Sequence, residues 1–224
     1  MAHYAFKASP YSSHSQILDR FPAPGNGRRV LDVGCGNGYL GAILAERGYD
    51  VTGVERPGGL TDRFPENVRL IEADLEGGLP VEGRFHTVLC ADILEHLRDP
   101  LALLRQVRDL LEPGGELVAS LPNSGNLYFR LTVMAGRFPQ HDKGLFDRTH
   151  VRFYTWDGWR ELFEQAGLPI EQVWPTGIPV GLAAPQWEGS VVMRAAEACA
   201  YGAARLRKQL FAYQFVVTAR AVTR

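Results

Sequence analysis

The sequence predicts an α/β fold: an open, mostly parallel sheet of seven strands with helices on both faces and one insertion after the fifth strand. Three observations predict it. Short apolar and β-branched runs alternate with helical segments from Val30 to Leu121, the pattern of successive strand-helix-strand crossovers. The first four runs end in acidic or polar residues, and residues just past the strand ends of an open parallel sheet share one rim. A glycine-rich turn follows the first run directly, which aims the N-terminus of the next helix at that rim.

The elements follow in order within one domain. Residues 1–28 are an N-terminal arm or helix, and residues 29–121 are the core. In the core, Val30 and Leu31 run into Asp32, and the turn carries Gly34, Gly36 and Gly38, whose freedom allows a sharp bend and close approach to a ligand. Tyr39–Leu44 reads as a helix. Val51–Val54 is a second strand ending in Glu55-Arg56, and Val68–Ile71 a third ending in Glu72-Ala73-Asp74-Leu75. The fourth, Phe85–Cys90, ends in Ala91-Asp92-Ile93-Leu94-Glu95-His96-Leu97.

From Pro122 to His150 the chain turns to Gly, Asn, aromatics and charges, which reads as a lid over the rim. Residues 151–224 return to helices and strands. Thr155–Ala166 is a helix with Trp156, Trp159, Leu162, Phe163 and Ala166 on one side, Thr155 as its cap and Gly167 as its stop. Ile170–Trp174 is a strand. Ser190–Phe211 reads as one long helix with Val192, Ala195, Ala196, Cys199, Ala203, Leu206 and Leu210 apolar, and Phe215–Ala219 is the final strand.

Composition bounds the function. With 224 residues, 46% of them hydrophobic, the chain buries a full core without staples. A formal net charge of −1 argues against nucleic acid, which is bound through clustered Lys and Arg. Cys35, Cys90 and Cys199 are widely spaced, so neither a zinc site nor a disulfide scaffold is indicated, and a reducing cytoplasm fits. No uncharged apolar run approaches the roughly 18 residues that span a bilayer, so no stable membrane insertion is expected; a monomer or homodimer is. The uncharged stretch from Thr176 to Trp187 and the basic helix residues Arg194, Arg205, Arg207 and Lys208 read as a core-covering loop and a solvated face, with a membrane-facing edge as the alternative.

Asp32 discriminates between ligands. At the mouth of the turn it repels a pyrophosphate and attracts a ligand with an ammonium and a sulfonium, such as S-adenosylmethionine, whose carboxylate still meets the helix N-terminus. Gly36, Gly38 and Gly41 also form a literal G-x-G-x-x-G, so a nicotinamide oxidoreductase stays as the lesser alternative. Glu55 stands about 20 residues on, where such a unit places the acid for two ribose hydroxyls, and Asp74 can accept from an adenine amino group.

With those motifs in hand, the chain resembles the class I S-adenosylmethionine-dependent methyltransferases. VLDVGCGNGYLG is similar to their first motif, VTGVE to the second, EADLE to the adenine-side acid and FHTVLCADILEHLRDP to the fourth-strand motif. LLEPGGELVASLPN resembles their fifth strand, where a Pro-Gly-Gly turn after a helix leads into a buried run. The EHL tripeptide with Asp99-Pro100 resembles the ubiquinone-biosynthesis type of O-methyltransferase within the type 11/23 group, and GLFDRTHVRFYTWDGWRELFEQAGL a subgroup associated with cell-surface sugar synthesis. The resemblance implies a Rossmann-like sheet with its last strand antiparallel, and S-adenosylmethionine as donor with S-adenosylhomocysteine as product. It implies a cofactor site from Asp32, Gly34, Cys35, Gly36, Gly38 and Tyr39, from Glu55 and Arg56, from Asp74 and Leu75, and from Ala91, Asp92, Ile93 and His96. Tyr4, Phe6, Tyr11, Ser12, Ser13 and His14 resemble a leader that folds over the cofactor, with Tyr11 covering the methionine end.

A sulfonium is already activated, so the protein must chiefly align an acceptor and exclude water. An acceptor hydroxyl also needs a base, and His96, just past the fourth strand, is the first candidate, with His150 at the end of the lid second. Glu95, Asn123, His141, Asp147 and His150 are the candidate acceptor-binding residues. Asp147 paired with His150 as a pin for the lid is the structural alternative. No metal is expected from the spacing, although His141, Asp142, Asp147 and His150 are suitable types. The expected reaction is O-methylation of a small molecule or sugar precursor. A small-amine N-methyltransferase and a non-catalytic cofactor-binding module are the alternatives.

Overall fold

The computed structural model describes residues 9–60, 63–178 and 190–222. Its strands are β1 (Arg29–Val33), β2 (Asp50–Glu55), β3 (Arg69–Glu72), β4 (Phe85–Ala91), β5 (Leu111–Pro122), β6 (Ile170–Pro175) and β7 (Gln214–Ala219). Its helices are α1 (Ser13–Leu18), α2 (Tyr39–Glu46), α3 (Pro100–Leu110), α4 (Leu127–Met134), α5 (Trp156–Gln165), α6 (Val191–Leu206) and α7 (Lys208–Phe211). The strands form one sheet in the order β3-β2-β1-β4-β5-β7-β6. The first five are parallel, and β7 runs antiparallel to both β5 and β6.

β1 is central and has helices over both faces, so its apolar residues are buried on both: Val30, Leu31 and Val33 are fully buried. Its alternation divides the core into two layers. Val30 packs with Ile17 and Leu18 of α1 and Leu40 and Leu44 of α2. Leu31 and Val33 face the opposite layer, with Leu103, Leu104 and Val107 of α3 and Trp159 and Phe163 of α5. The chain order reverses between β1 and β4, and the crevice beyond their carboxyl ends is where open α/β sheets bind ligands.

The α5 helix has the expected inner face: Trp156, Trp159, Leu162 and Phe163 are buried, and Trp159 Nε1 donates to the Pro122 carbonyl at 2.8 Å. Thr155 occupies the N-cap position, but its side chain makes no capping bond. Three other expectations are corrected. The expected single helix over Ser190–Phe211 is two, broken at Arg207 (φ −140°, ψ 76°). The cause is long-range: the Asn123 amide donates to the carbonyls of Lys208, Gln209 and Ala212, and Asn126 to those of Phe211 and Ala212. Carbonyls taken in this way close the chain into a turn. The apolar stripe of α6 also faces outward more than inward: Val192 and Leu206 are exposed, and only Met193 and Ala204 are buried. Finally, β5 starts at Leu111, ahead of Pro113-Gly114-Gly115, whose residues form a bulge: the register passes from Phe85 opposite Leu111 to Thr87 opposite Glu116.

The lid holds α4 and a loop in which His141 and Asp147 bridge. It is tied at both ends. Asn126 caps α4 through the Tyr128 N–H, and the Val151 and Arg152 N–H groups both donate to the Glu95 carbonyl. Among the described residues, no helix is long and apolar enough to cross a membrane. Tyr4, Phe6 and the part of the Thr176–Trp187 stretch from residue 179 onward lie outside the described residues.

Candidate active site

The glycine turn is shaped by what surrounds it. Gly34 has φ +73°, and a Cβ there would stand 2.6 Å from Ile93 Cγ1, so Ile93 closes over the turn and only glycine fits beneath it. Gly38, at φ +74° and N-cap of α2, is similarly pressed by Phe64. Gly36 has a positive φ and open space around it, and its N–H donates to Glu55 Oε2 at 2.9 Å. The carboxylate expected to hold the ribose is thus hydrogen bonded to the glycine turn itself. Asp32 is 2% exposed, and burial, with the Glu55 charge second, pushes its pKa up to about 7.

Tyr39 opens α2, and its hydroxyl lies 2.9 Å from His14 Nε2 on the buried face of α1. Burial, then the charges of Asp92 and Asp32, keep this phenol protonated. Of the other candidates, Cys35 is buried with its sulfur over Gly53, so its side chain is a packing group and only its main chain faces the turn. Arg56 and Asp74 are exposed; Asp74 Oδ1 accepts from the Glu76 N–H at 3.0 Å. Leu75 packs against the core, and Ala91 ends β4 half-buried.

Beyond β4 the acceptor-side candidates converge. Asp92 has φ +53°, uncommon for a residue with a Cβ. The strain is held by two donors on its Oδ1: Ser120 Oγ from β5 at 2.7 Å and Gln214 Nε2 from β7 at 2.8 Å. Glu95, in the 3-10 turn Leu94–His96, is 1% exposed. Its Oε1 is 3.8 Å from His150 Nε2, and its Oε2 has no hydrogen-bond partner. Burial, then the Asp92 charge, raises the Glu95 pKa well above the usual carboxylate range. Burial, then His96, lowers that of His150 to about 4. His150 is therefore uncharged near pH 7, and its contact with Glu95 is not an ion pair. The His96 and His150 rings meet edge to face with centroids 4.8 Å apart.

Glu95, His96 and His150 are the one grouping among the described residues whose ligand-type atoms all lie within 4.8 Å. Two imidazoles and a carboxyl suit an acceptor hydroxyl and also, by type, a divalent cation, a use for which the spacing along the chain offers no signal.

Other candidates are moved. Asn123 is fully buried, and its side chain bonds backbone alone, its Oδ1 accepting from the Gly125 N–H; it latches the α7 turn and cannot reach an acceptor. His141 is exposed, and Asp142 pairs with Arg148 at the surface, so neither enters the cluster. Asp147 is buried, and its Oδ1 accepts from the N–H and hydroxyl of Thr149 at 2.8 and 2.6 Å. The Tyr11 ring stacks on Tyr201 of α6 at 4.7 Å, and the leader residue that meets the glycine turn is His14. Thr149, Ser120 and Gln214 had no assigned role in the sequence. An Asp two residues before a Thr signals a local turn; nothing in the sequence singles out Gln214.

A family model described as a methyltransferase domain matches residues 1–173. A ubiquinone biosynthesis O-methyltransferase of Cereibacter sphaeroides is 32% identical over 168 residues, covering 67% of this chain and 64% of that protein. One of Xanthomonas euvesicatoria is 36% identical over 127 residues, half of each chain. The chain thus spans under two thirds of the length of these curated relatives. Among solved structures, a magnesium protoporphyrin IX methyltransferase of Synechocystis with bound SAH aligns at a TM-score of 0.58 and 17% identity over 93% of this chain and 80% of that one. An S-adenosylmethionine-dependent methyltransferase of Mesorhizobium loti aligns at 0.60 and 18% over 92% and 96%. These two likenesses concern the fold.

Proposed function

This chain belongs to the class I S-adenosylmethionine-dependent methyltransferases, and on that footing we propose that it moves the methyl group of S-adenosylmethionine to an oxygen of a small molecule or sugar. One observation carries the reading: a buried acid, Asp32, beneath a glycine turn at the rim, with a cluster of Glu95, His96 and His150 past the neighbouring strand. The first arrangement suits a cationic donor and the second a hydroxyl that must lose its proton. Asp32, Gly34, Gly36, Gly38 and Tyr39 hold the methionine end, Glu55 the ribose and Asp74 the adenine. His96 takes the acceptor's proton while the oxygen attacks the methyl in line with the departing sulfur. His150, uncharged near pH 7, and the buried Glu95 line the acceptor side.

A small amine is the second reading, favoured by the three carboxyl groups Asp92, Glu95 and Asp147 near this space. Release of S-adenosylhomocysteine from panels of phenolic, sugar and amine acceptors distinguishes the two. With any acceptor that turns over, His96→Ala is expected to bind S-adenosylhomocysteine normally by calorimetry and to lose about 100-fold or more in turnover. Unchanged turnover removes His96 as the base.

A further inference from the structure

Which nitrogen of His96 carries a hydrogen is fixed by its neighbours. Nδ1 lies 3.2 Å from the Thr149 carbonyl oxygen and 3.1 Å from the Thr149 hydroxyl. A carbonyl oxygen only accepts. The hydroxyl has one hydrogen, and at 2.6 Å that hydrogen is committed to Asp147 Oδ1, so toward His96 the hydroxyl accepts as well. Both neighbours require a hydrogen on Nδ1. The neutral ring then carries its lone pair on Nε2.

We propose that Asp147 and Thr149 are positioning residues: a chain from the Asp147 carboxylate through the Thr149 hydroxyl to His96 Nδ1–H holds the ring in the tautomer whose Nε2 accepts a proton. The base is thereby oriented by a second group and that group by a buried carboxylate, the logic by which an imidazole is made ready in unrelated enzymes. The chain is itself held rigidly. Asp147 is 4% exposed, and it also accepts from the Thr149 N–H at 2.8 Å, so the turn is closed on itself. Two residues on, Val151 and Arg152 donate to the carbonyl of Glu95, the residue before His96. The end of the lid and the turn bearing the base are thus one unit. His150, against the His96 ring, is kept neutral by burial and adds no opposing charge when His96 is protonated.

The inference rests on the reading of His96 as proton acceptor. In the step, the acceptor oxygen forms its bond to the methyl carbon as the carbon-sulfur bond breaks, and that bond's electron pair stays on sulfur. The hydroxyl proton passes to His96 Nε2. The resulting imidazolium keeps its Nδ1–H on Thr149, with the Asp147 charge behind it, and later gives the Nε2 proton to water.

Long-range hydrogen-nitrogen NMR of the full chain labelled with nitrogen-15 histidine reads the tautomer without any acceptor. His96 is assigned by the signal that His96→Gln removes, at a pH where imidazoles are neutral. The Nδ1–H form is expected for wild type and for Thr149→Ser. Thr149→Val and Asp147→Asn are expected to raise the Nε2–H population about tenfold, the worth of one hydrogen bond. With an acceptor in hand, Thr149→Val lowers kcat by roughly the same factor, leaves KM for the donor unchanged, and is rescued by Thr149→Ser. An Nε2–H ring in wild type overturns the proposal even if the variants fail to fold, as does a Thr149→Val protein whose Nε2–H population is no larger than that of wild type. Failure to bind S-adenosylhomocysteine would instead count against the methyltransferase reading and leaves these spectra readable.

Discussion

At the scale of single residues, Asp32 is a carboxyl group almost wholly removed from water, and its charged form is held at the expense of the fold. Its pKa of about 7 lies above that of an ordinary carboxylate, so between about pH 4 and 7 the folded chain holds a proton that the unfolded chain has released. The sign follows: its contribution to stability is fully present below about pH 4 and is lost as the pH rises through 7. His150 has the opposite sign, since its lowered pKa makes stability rise with pH between about 4 and 6.5. Asp32→Asn is therefore expected to stabilise the free protein at pH 8 by about 1 to 3 kcal/mol in urea unfolding while destroying cofactor binding. A variant less stable than wild type contradicts this account of the buried charge. A cationic donor reverses the preference for the proton, so binding near pH 6 is expected to release up to one proton. Calorimetric heats that are equal in buffers of different ionisation enthalpy at that pH would show that none is released.

At the scale of elements, the lid and the end of the chain are joined through two asparagines at the end of β5. Asn123→Ala removes the side-chain donor from the carbonyls of Lys208, Gln209 and Ala212, of which Lys208 keeps the Ala212 N–H and Ala212 keeps Asn126, and is expected to lower stability by about 1 to 3 kcal/mol with little change in cofactor affinity. Wild-type stability in chemical denaturation would mean that the turn closes without it. The same contacts explain what the sequence leaves unread. The α5 helix was legible because its aromatic stripe repeats at helical spacing and Gly167 ends it at φ +76°. The break at Arg207 was not, because amides more than eighty positions away impose it. Asn123, polar and at the start of an insertion, looks from the sequence like an acceptor residue; its burial is a property of the packed chain alone.

At the scale of the whole molecule, the sheet and its acidic rim were legible together. Each strand announces itself by an apolar run, and parallel topology collects the strand ends Asp32, Glu55, Asp74 and Asp92 along one edge. The antiparallel last strand came from resemblance and not from periodicity, and its place between β5 and β6 was read from neither. The acceptor side was legible only in parts. His96 and Thr149 stand 53 positions apart, and no local pattern says that the end of the lid folds back onto the 3-10 turn. On the proposed reading the fold sets a buried carboxyl group, Asp32, beneath the donor and an oriented base, His96, beyond it. Calorimetric titration of the purified chain with S-adenosylmethionine and, separately, with NAD tests this most directly. The account predicts saturable S-adenosylmethionine binding in the usual micromolar to millimolar range, abolished by Asp32→Ala, and no heat with NAD; NAD binding with no response to S-adenosylmethionine or S-adenosylhomocysteine would contradict it.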